Sequence, residues 1–242
     1  MNCTKSCWLS MKITQSFSSP YVEAEPEVPE AVLRQWQNEL VGMRSQLTAT
    51  SFGNGKVLES ATDFFYQDSQ SCQEIAAICH NNLAKVILSI TDINQQQFSN
   101  LVFDYQSWLQ IVDDQGFAPY QNHPNGTWTG FFCIDTELPT AQEPDNGMFL
   151  LHDPRVNANQ IADDVNGHYK FPMIHAGIKI QPKPGDLYLF PSFQHLENFA
   201  YFGNKPRILV WFNAWIRNSK GLPMQPNKRY IPKEVKPYVL DY

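Results

Sequence analysis

The chain has 242 residues, of which 43% are hydrophobic and 17% charged, enough apolar material for one large globular domain. Its net charge is −6 and no basic cluster exceeds the pair Lys228-Arg229, which removes the footprint a nucleic-acid binder needs. No apolar run approaches the roughly 20 residues of a membrane-spanning helix.

Cys3, Cys7, Cys72, Cys79 and Cys133 are odd in number and scattered, which argues against a secreted disulfide scaffold. No second Cys or His pair follows Cys3 and Cys7 at zinc-site spacing. The stretch before Met11 lacks an apolar core and does not read as a signal peptide, so a cytoplasmic protein is expected.

In chain order, residues 12–22 read as a short strand leading into a Pro/Glu linker, Glu23 to Glu30. Pro29 suits a first helical turn, and Val32, Trp36, Leu40, Met43 and Leu47 then recur at helical spacing. A Gly/Ser/Asn-rich segment, Ser51 to Ser60, separates this helix from a second. The second opens at Ser71 with Glu74 three residues on, a capping-box pattern. Its apolar face is Ile75, Ile78, Cys79, Leu83, Val86 and Ile87, and His80 on it reads as packing or surface. From about residue 98, short β-branched and aromatic runs alternate with Gly, Pro, Asn and Asp. They cover 98–111, 127–134, 147–152, 174–181, 186–190, 197–202 and 207–216. This is the spacing of a sandwich or closed barrel of roughly eight strands. Phe202 to Pro206 reads as a tight hairpin turn, and the stretch after 217 as a Pro/Lys-rich tail.

Chemistry concentrates between Lys179 and Trp215. Arg207, Leu209, Trp211 and Asn213 share one face of the last strand, with Ile208, Val210 and Phe212 on the other. Both faces are apolar enough to be buried, so Arg207 requires an anionic partner, because an unpaired buried charge costs several kcal/mol. A dicarboxylate ligand and a core Asp or Glu are equally good candidates. His195 lies twelve residues before Arg207. On its own it reads as a loop histidine, but across one hairpin a metal ligand and a carboxylate-binding cation could face one cavity.

Segment 181–213 resembles the C-terminal half of the double-stranded β-helix in 2-oxoglutarate/Fe(II) oxygenases. It is similar to a family carrying a Pro-Gly…Phe-Pro-Ser block, a His, then Arg-Ile…Phe-Asn. Two further elements match in order: His123-Pro124-Asn125-Gly126-Thr127-Trp128-Thr129-Gly130-Phe131-Phe132, and Gly147 through Asp153-Pro154-Arg155. The resemblance covers about residues 98–216 and implies a mostly β fold, a jelly-roll or cupin-like barrel supported by N-terminal α-helices. It implies Fe(II) held by His123 and His195, and 2-oxoglutarate held by Arg207 with Thr129 and Asn213, O2 being the oxidant. Most such oxygenases place Asp or Glu two residues after the first His, where this chain has Asn125, and Gln121 stands where the family often has another His. Asp153 is the candidate third ligand; that it only orders the Asp-Pro-Arg turn, or that water completes a two-histidine site, stays open. His152 and the His195-x-Glu197 pair compete as patterns, while His168 and His175 read as solvated. Trp128 and Arg155 are candidate substrate contacts, with packing the alternative for Trp128.

The expected organisation is a strand and linker over 1–28, helical support over 29–97, a β-helix catalytic core over 98–216 and a tail over 217–242, all in one structural domain. The expected activity is hydroxylation of a peptide or small molecule. A non-catalytic barrel, or a cupin-like enzyme with another metal and no 2-oxoglutarate, are the rivals.

Overall fold

The computed structural model describes residues 18–123, 126–155, 168 and 177–220. The strand expected over 12–22 therefore lies mostly outside the described residues, as does the tail from 221 onward. A short strand β1 spans Val22–Ala24, and helix α1 follows at Glu30–Gly42 directly after Pro29. Trp36 and Leu40 are its buried residues. Strands β2 (Thr48–Ala49) and β3 (Val57–Glu59) precede the long helix α2, Gln70–Ile90.

The α2 cap differs from expectation. Ser69, not Ser71, is the N-cap and accepts from Cys72 N. Ser71 instead donates to Glu39, and Glu74 accepts from Trp36 Nε1 at 3.0 Å. Tertiary partners thus claim the two side chains that would have formed the box. The expected face holds: Ile75, Cys79, Leu83 and Ile87 are buried, with Ile78 and Val86 packed at its margin.

A short helix α3 (Gln95–Ser99), capped reciprocally by Asn94 and Gln97, leads into β4, Leu101–Val112. Then come β5 (Gly116–Gln121), β6 (Trp128–Asp135), β7 (Phe149–Leu151), β8 (Ile178–Ile180), β9 (Leu187–Pro191), β10 (Leu196–Tyr201) and β11 (Arg207–Asn218). They form two sheets of antiparallel pairs, ordered β1-β9-β6-β11-β4-β3-β2 and β5-β10-β7-β8. This is the double-stranded β-helix, with the helices on the outer face of the larger sheet.

Strand alternation sorts the core into two layers. Ile208, Val210 and Phe212 of β11 join Trp36, Leu40, Ile75, Cys79 and Leu83 beneath the helices. Leu209 and Trp211 join Trp108, Phe131, Phe149, Tyr188 and Leu196 between the sheets. β11 is the spine, paired with β4 over all twelve residues and with β6 on its other edge.

Phe202 to Pro206 is a tight connection but not a hairpin. β10 pairs with β5 and β7 in the small sheet, whereas β11 belongs to the large one. His195 and Arg207 therefore reach the interior region from facing sheets rather than from adjacent strands.

Candidate active site

Arg207 opens β11 and is fully buried. Its Nη1 donates to the Gly147 carbonyl at 2.7 Å and its Nη2 to Asn198 Oδ1 at 3.2 Å. The guanidinium lies over the rings of Phe149 and Tyr201, 4.9 Å and 5.3 Å from their centroids. Gly147 adopts φ +60, and a Cβ there would sit 3.0 Å from Arg207 Nη1, so a glycine allows the carbonyl this close approach. Among the described residues no carboxylate pairs with Arg207, and its Nε has no hydrogen-bond partner. Burial pulls its pKa down to about 10, with Cys133 and Tyr201 opposing. The group remains a cation at neutral pH, held by two neutral acceptors, with its buried Nε unpartnered. A buried guanidinium of this kind suits a carboxylate partner, and the distal carboxylate of 2-oxoglutarate has that chemistry.

Further along the same inner face lies a polar cluster. Thr129 Oγ1 donates to Asn213 Oδ1 at 2.8 Å and is 2.8 Å from Ser192 Oγ, all three residues being buried. His123 follows β5, and its backbone N donates to the Ser192 carbonyl at 3.1 Å. Its ring lies 5.6 Å from Trp108 and 6.4 Å from Trp211, which stack on each other. Burial lowers the pKa of this imidazole, favouring the neutral form that can ligate a metal. Asn213 and Arg207 are six residues apart on one strand, roughly 20 Å, so Thr129 and Asn213 line the His123 end and not the guanidinium.

His195 sits one residue before β10, where β10 runs beside β5 with Leu196 opposite Gln121. Its ring stacks on Tyr120 at 4.7 Å and 6°. Tyr120 also meets His152 edge-on at 4.8 Å, and His152 Nε2 is 3.1 Å from Glu197 Oε2. β7 pairs with β10, so Asp153 does follow a strand bordering the one His195 precedes. The Asp153 carboxylate is engaged by Arg155, which donates from its backbone N at 2.9 Å and from Nε at 2.9 and 3.1 Å, and also through Nη2. Among the described residues, no three His, Cys, Asp or Glu side chains converge as a metal centre. Asn125 lies outside the described residues.

The structure thus gathers His123, Thr129 and Asn213 at one end of the barrel interior, Arg207 deeper within it, and His195 with Tyr120 and His152 at the rim. Trp128 packs in the helix-side core with 6% exposure, on the opposite face of β6 from Thr129, so it is removed as a substrate contact. Arg155 is exposed beside Asp153. His168 is exposed, and His175 lies outside the described residues. The sequence alone assigned no role to Asn198, or to Gly147 and Ser192, which lie within the motifs quoted above. Only the alternation of β10, with Leu196 and Asn198 both buried, offered a signal for the first of them.

Comparison with known proteins agrees with this architecture. Residues 106–213 match the family model described as "Putative 2OG-Fe(II) oxygenase". A Pseudomonas putida prolyl-4-hydroxylase is similar over 82% of this chain and 93% of its own, at 13% identity and TM-score 0.54. A Trichoplax adhaerens prolyl hydroxylase in complex with a hypoxia-inducible-factor peptide covers 81% and 83%, at 11% identity and TM-score 0.53. Streptomyces hygroscopicus HygX, crystallised with nickel, 2-oxoglutarate and hygromycin B, covers 81% and 83%, at 10% identity and TM-score 0.54. At these identities the likeness is one of fold. No functionally curated protein sequence matches the chain.

Proposed function

We propose that this chain, whose barrel matches the 2OG-Fe(II) oxygenase family over residues 106–213, hydroxylates an unactivated carbon of a peptide or small-molecule substrate. The observation that carries the reading is Arg207, a fully buried cation with two hydrogen bonds, an unpartnered Nε and no carboxylate among the described residues. Its planar fork would take the distal carboxylate of 2-oxoglutarate, while Gly147 and Asn198 hold it in place. Asn198 lies three residues beyond His195, about 10 Å along β10, a separation that a short dicarboxylate and a bound metal could bridge.

His123 and His195 would hold iron, imidazole being a suitable donor, with Asp153 as third ligand once Arg155 yields it. When bound, Fe(II) with 2-oxoglutarate and O2 supplies the oxidant, and the overall change converts R–H to R–OH with release of succinate and CO2. The chain's own groups do the rest. Thr129, Ser192 and Asn213 fix a polar wall beside His123, and the Trp108–Trp211 stack excludes water behind it.

One observation favours a second reading, a barrel that binds a dicarboxylate without iron chemistry: the Asp153 carboxylate is taken up by Arg155. Anaerobic addition of Fe(II) and 2-oxoglutarate separates the two. The oxygenase gives a weak visible charge-transfer band, then succinate on admission of air. A protein that binds 2-oxoglutarate yet retains no iron and forms no succinate is the second kind.

A further inference from the structure

Glu59 and Gln110 also face the barrel interior, beside the Trp108–Trp211 stack, and take no part in the scheme above. β3 pairs antiparallel with β4, with Glu59 opposite Gln110. Alternation puts Glu59, Gln110 and Trp108 on the barrel side, while Leu58, Leu109 and Ile111 pack under the helices. Gln110 Nε2 donates to Glu59 Oε1 at 2.8 Å, and Gln110 Oε1 accepts from Trp211 Nε1 at 3.1 Å. Trp211 lies parallel to Trp108, 8° between planes and 6.2 Å between centroids. Gln110 is 3% exposed and Trp108 is 9% exposed, and the Trp108 indole N–H finds no hydrogen-bond partner. Glu59 is half-buried and makes no ion pair among the described residues.

A carboxylate in this setting has a desolvation cost that the Gln110 hydrogen bond offsets only in part. Burial raises the pKa of Glu59, while Gln110 and Trp108 favour its ionised form. Gln110 therefore orients an anion, and among the described residues no cation pairs with it. The same Trp108 whose indole edge influences Glu59 packs against His123, so the carboxylate lies one side chain away from a proposed iron ligand. Beside it, indole rings offer the surface on which a cation is held by the ring quadrupole. The chain's net charge of −6 also favours the approach of a cationic molecule.

We propose that Glu59 is a specificity residue that receives a cationic nitrogen, ammonium or guanidinium, of the substrate, with the Trp108–Trp211 stack as its aromatic wall. This assignment rests on the oxygenase reading only for the word substrate; the cation site itself depends on Glu59, Gln110 and the two tryptophans. It narrows the substrate class to amines and guanidines, including peptides that present lysine or arginine. Gln110 acts as a positioning residue, since it holds Glu59 and Trp211 at once.

The test uses n-butylammonium and n-butylguanidinium as probes and 1-butanol as their neutral control, with binding to the full chain read by ligand-observed NMR. Both cations are expected to bind at least about tenfold more tightly than the alcohol, as a charge-assisted contact implies. Glu59→Gln retains an acceptor for Gln110 and should abolish that preference without a fall in melting temperature. Should that variant fail to fold, Glu59→Asp, which withdraws the charge by one methylene, should shrink the preference severalfold. Equal binding of cation and alcohol by the wild-type chain, or a preference that survives Glu59→Gln, overturns the assignment. Succinate release by the same wild-type preparation keeps the two readings apart. Cation preference without succinate removes the oxygenase and leaves the cation site, whereas succinate without cation preference removes Glu59 alone.

Discussion

Arg207 reaches across the barrel to Asn198, Nη2 to Oδ1 at 3.2 Å, and so ties the first residue of β11 to the strand that His195 precedes. The two residues belong to different sheets, and a ligand held by Arg207 would be framed by both. If that ligand is 2-oxoglutarate, Arg207→Lys should weaken its binding and leave iron binding unchanged. Lysine keeps the charge but loses the fork that matches a carboxylate. The loss of one charge-assisted hydrogen bond corresponds to about 1.5–3 kcal/mol, or roughly tenfold to a hundredfold in affinity. Titration of the anaerobic Fe(II) protein with 2-oxoglutarate reads it directly, and an unchanged curve would make Arg207 a structural cation.

His195 stacks on Tyr120, which is 55% exposed, at the rim of the barrel, and the proposed function makes it an iron ligand. His195→Ala should abolish iron retention, and His168→Ala and His175→Ala should leave it nearly intact. Metal analysis after anaerobic loading and desalting distinguishes them. Equal loss in all three variants would move the ligand set elsewhere.

His80 supplies a pH signature of the fold that is independent of the site. Burial against Phe103, 4.9 Å between ring centroids, lowers its pKa to about 4, and Nδ1 is 2.9 Å from the Tyr105 hydroxyl. The unfolded chain takes up this proton near pH 6.5 and the folded chain only near 4. Stability from this group is therefore full above about 6.5, declines as pH falls and is gone below about 4. The whole span is worth at most about 3 kcal/mol. Glu59, Asp135 and Asp186, whose pKa values burial raises, work in the opposite sense over the acidic range. The contribution of His80 is isolated by comparing urea unfolding at pH 7 and pH 5 for wild type and His80→Gln. The wild type should lose more stability than the variant, and parallel losses would sink this account.

The spine of the fold was legible because its signal is local. Strict alternation along 207–213 sorts Ile208, Val210 and Phe212 from Leu209 and Trp211, and the two layers divide them in that way. β5 was not legible. It falls between the runs 98–111 and 127–134, it carries Gly116 and Pro119, Phe117 and Tyr120 are exposed, and register shifts interrupt its pairing with β10. The β10–β11 connection misled for another reason: Gly203-Asn204 dictates a tight turn, but which sheet receives the next strand is decided by burial on β4 and β6. At the site, a cation on an apolar strand made Arg207 visible. The use of Asp153 was not visible, since an Asp-Pro-Arg turn and a metal ligand look alike in sequence.

That ambiguity sets the last prediction. Asp153 accepts from the backbone N and the guanidinium of Arg155, so its carboxylate is already paired. Iron binding would have to draw it away, or share it. An anionic ligand offsets the 2+ charge of iron in a water-poor cavity, and Asn125 at the usual acid position cannot supply one. If Asp153 is the third ligand, Asp153→Ala and Asp153→Asn should both lower iron affinity strongly, because the charge is what the metal requires. Asn125→Ala should be mild. Arg155→Ala should then strengthen iron binding, since it removes the competitor for the same oxygens. If Asp153 serves its turn alone, Asp153→Asn should retain iron, because asparagine can accept the same backbone hydrogen bond, and Arg155→Ala should leave iron affinity where it was. Iron titration of the four variants reads both signs at once. Near-normal binding in Asp153→Asn, with no gain in Arg155→Ala, would take Asp153 out of the metal site and leave the two histidines with water as the better description.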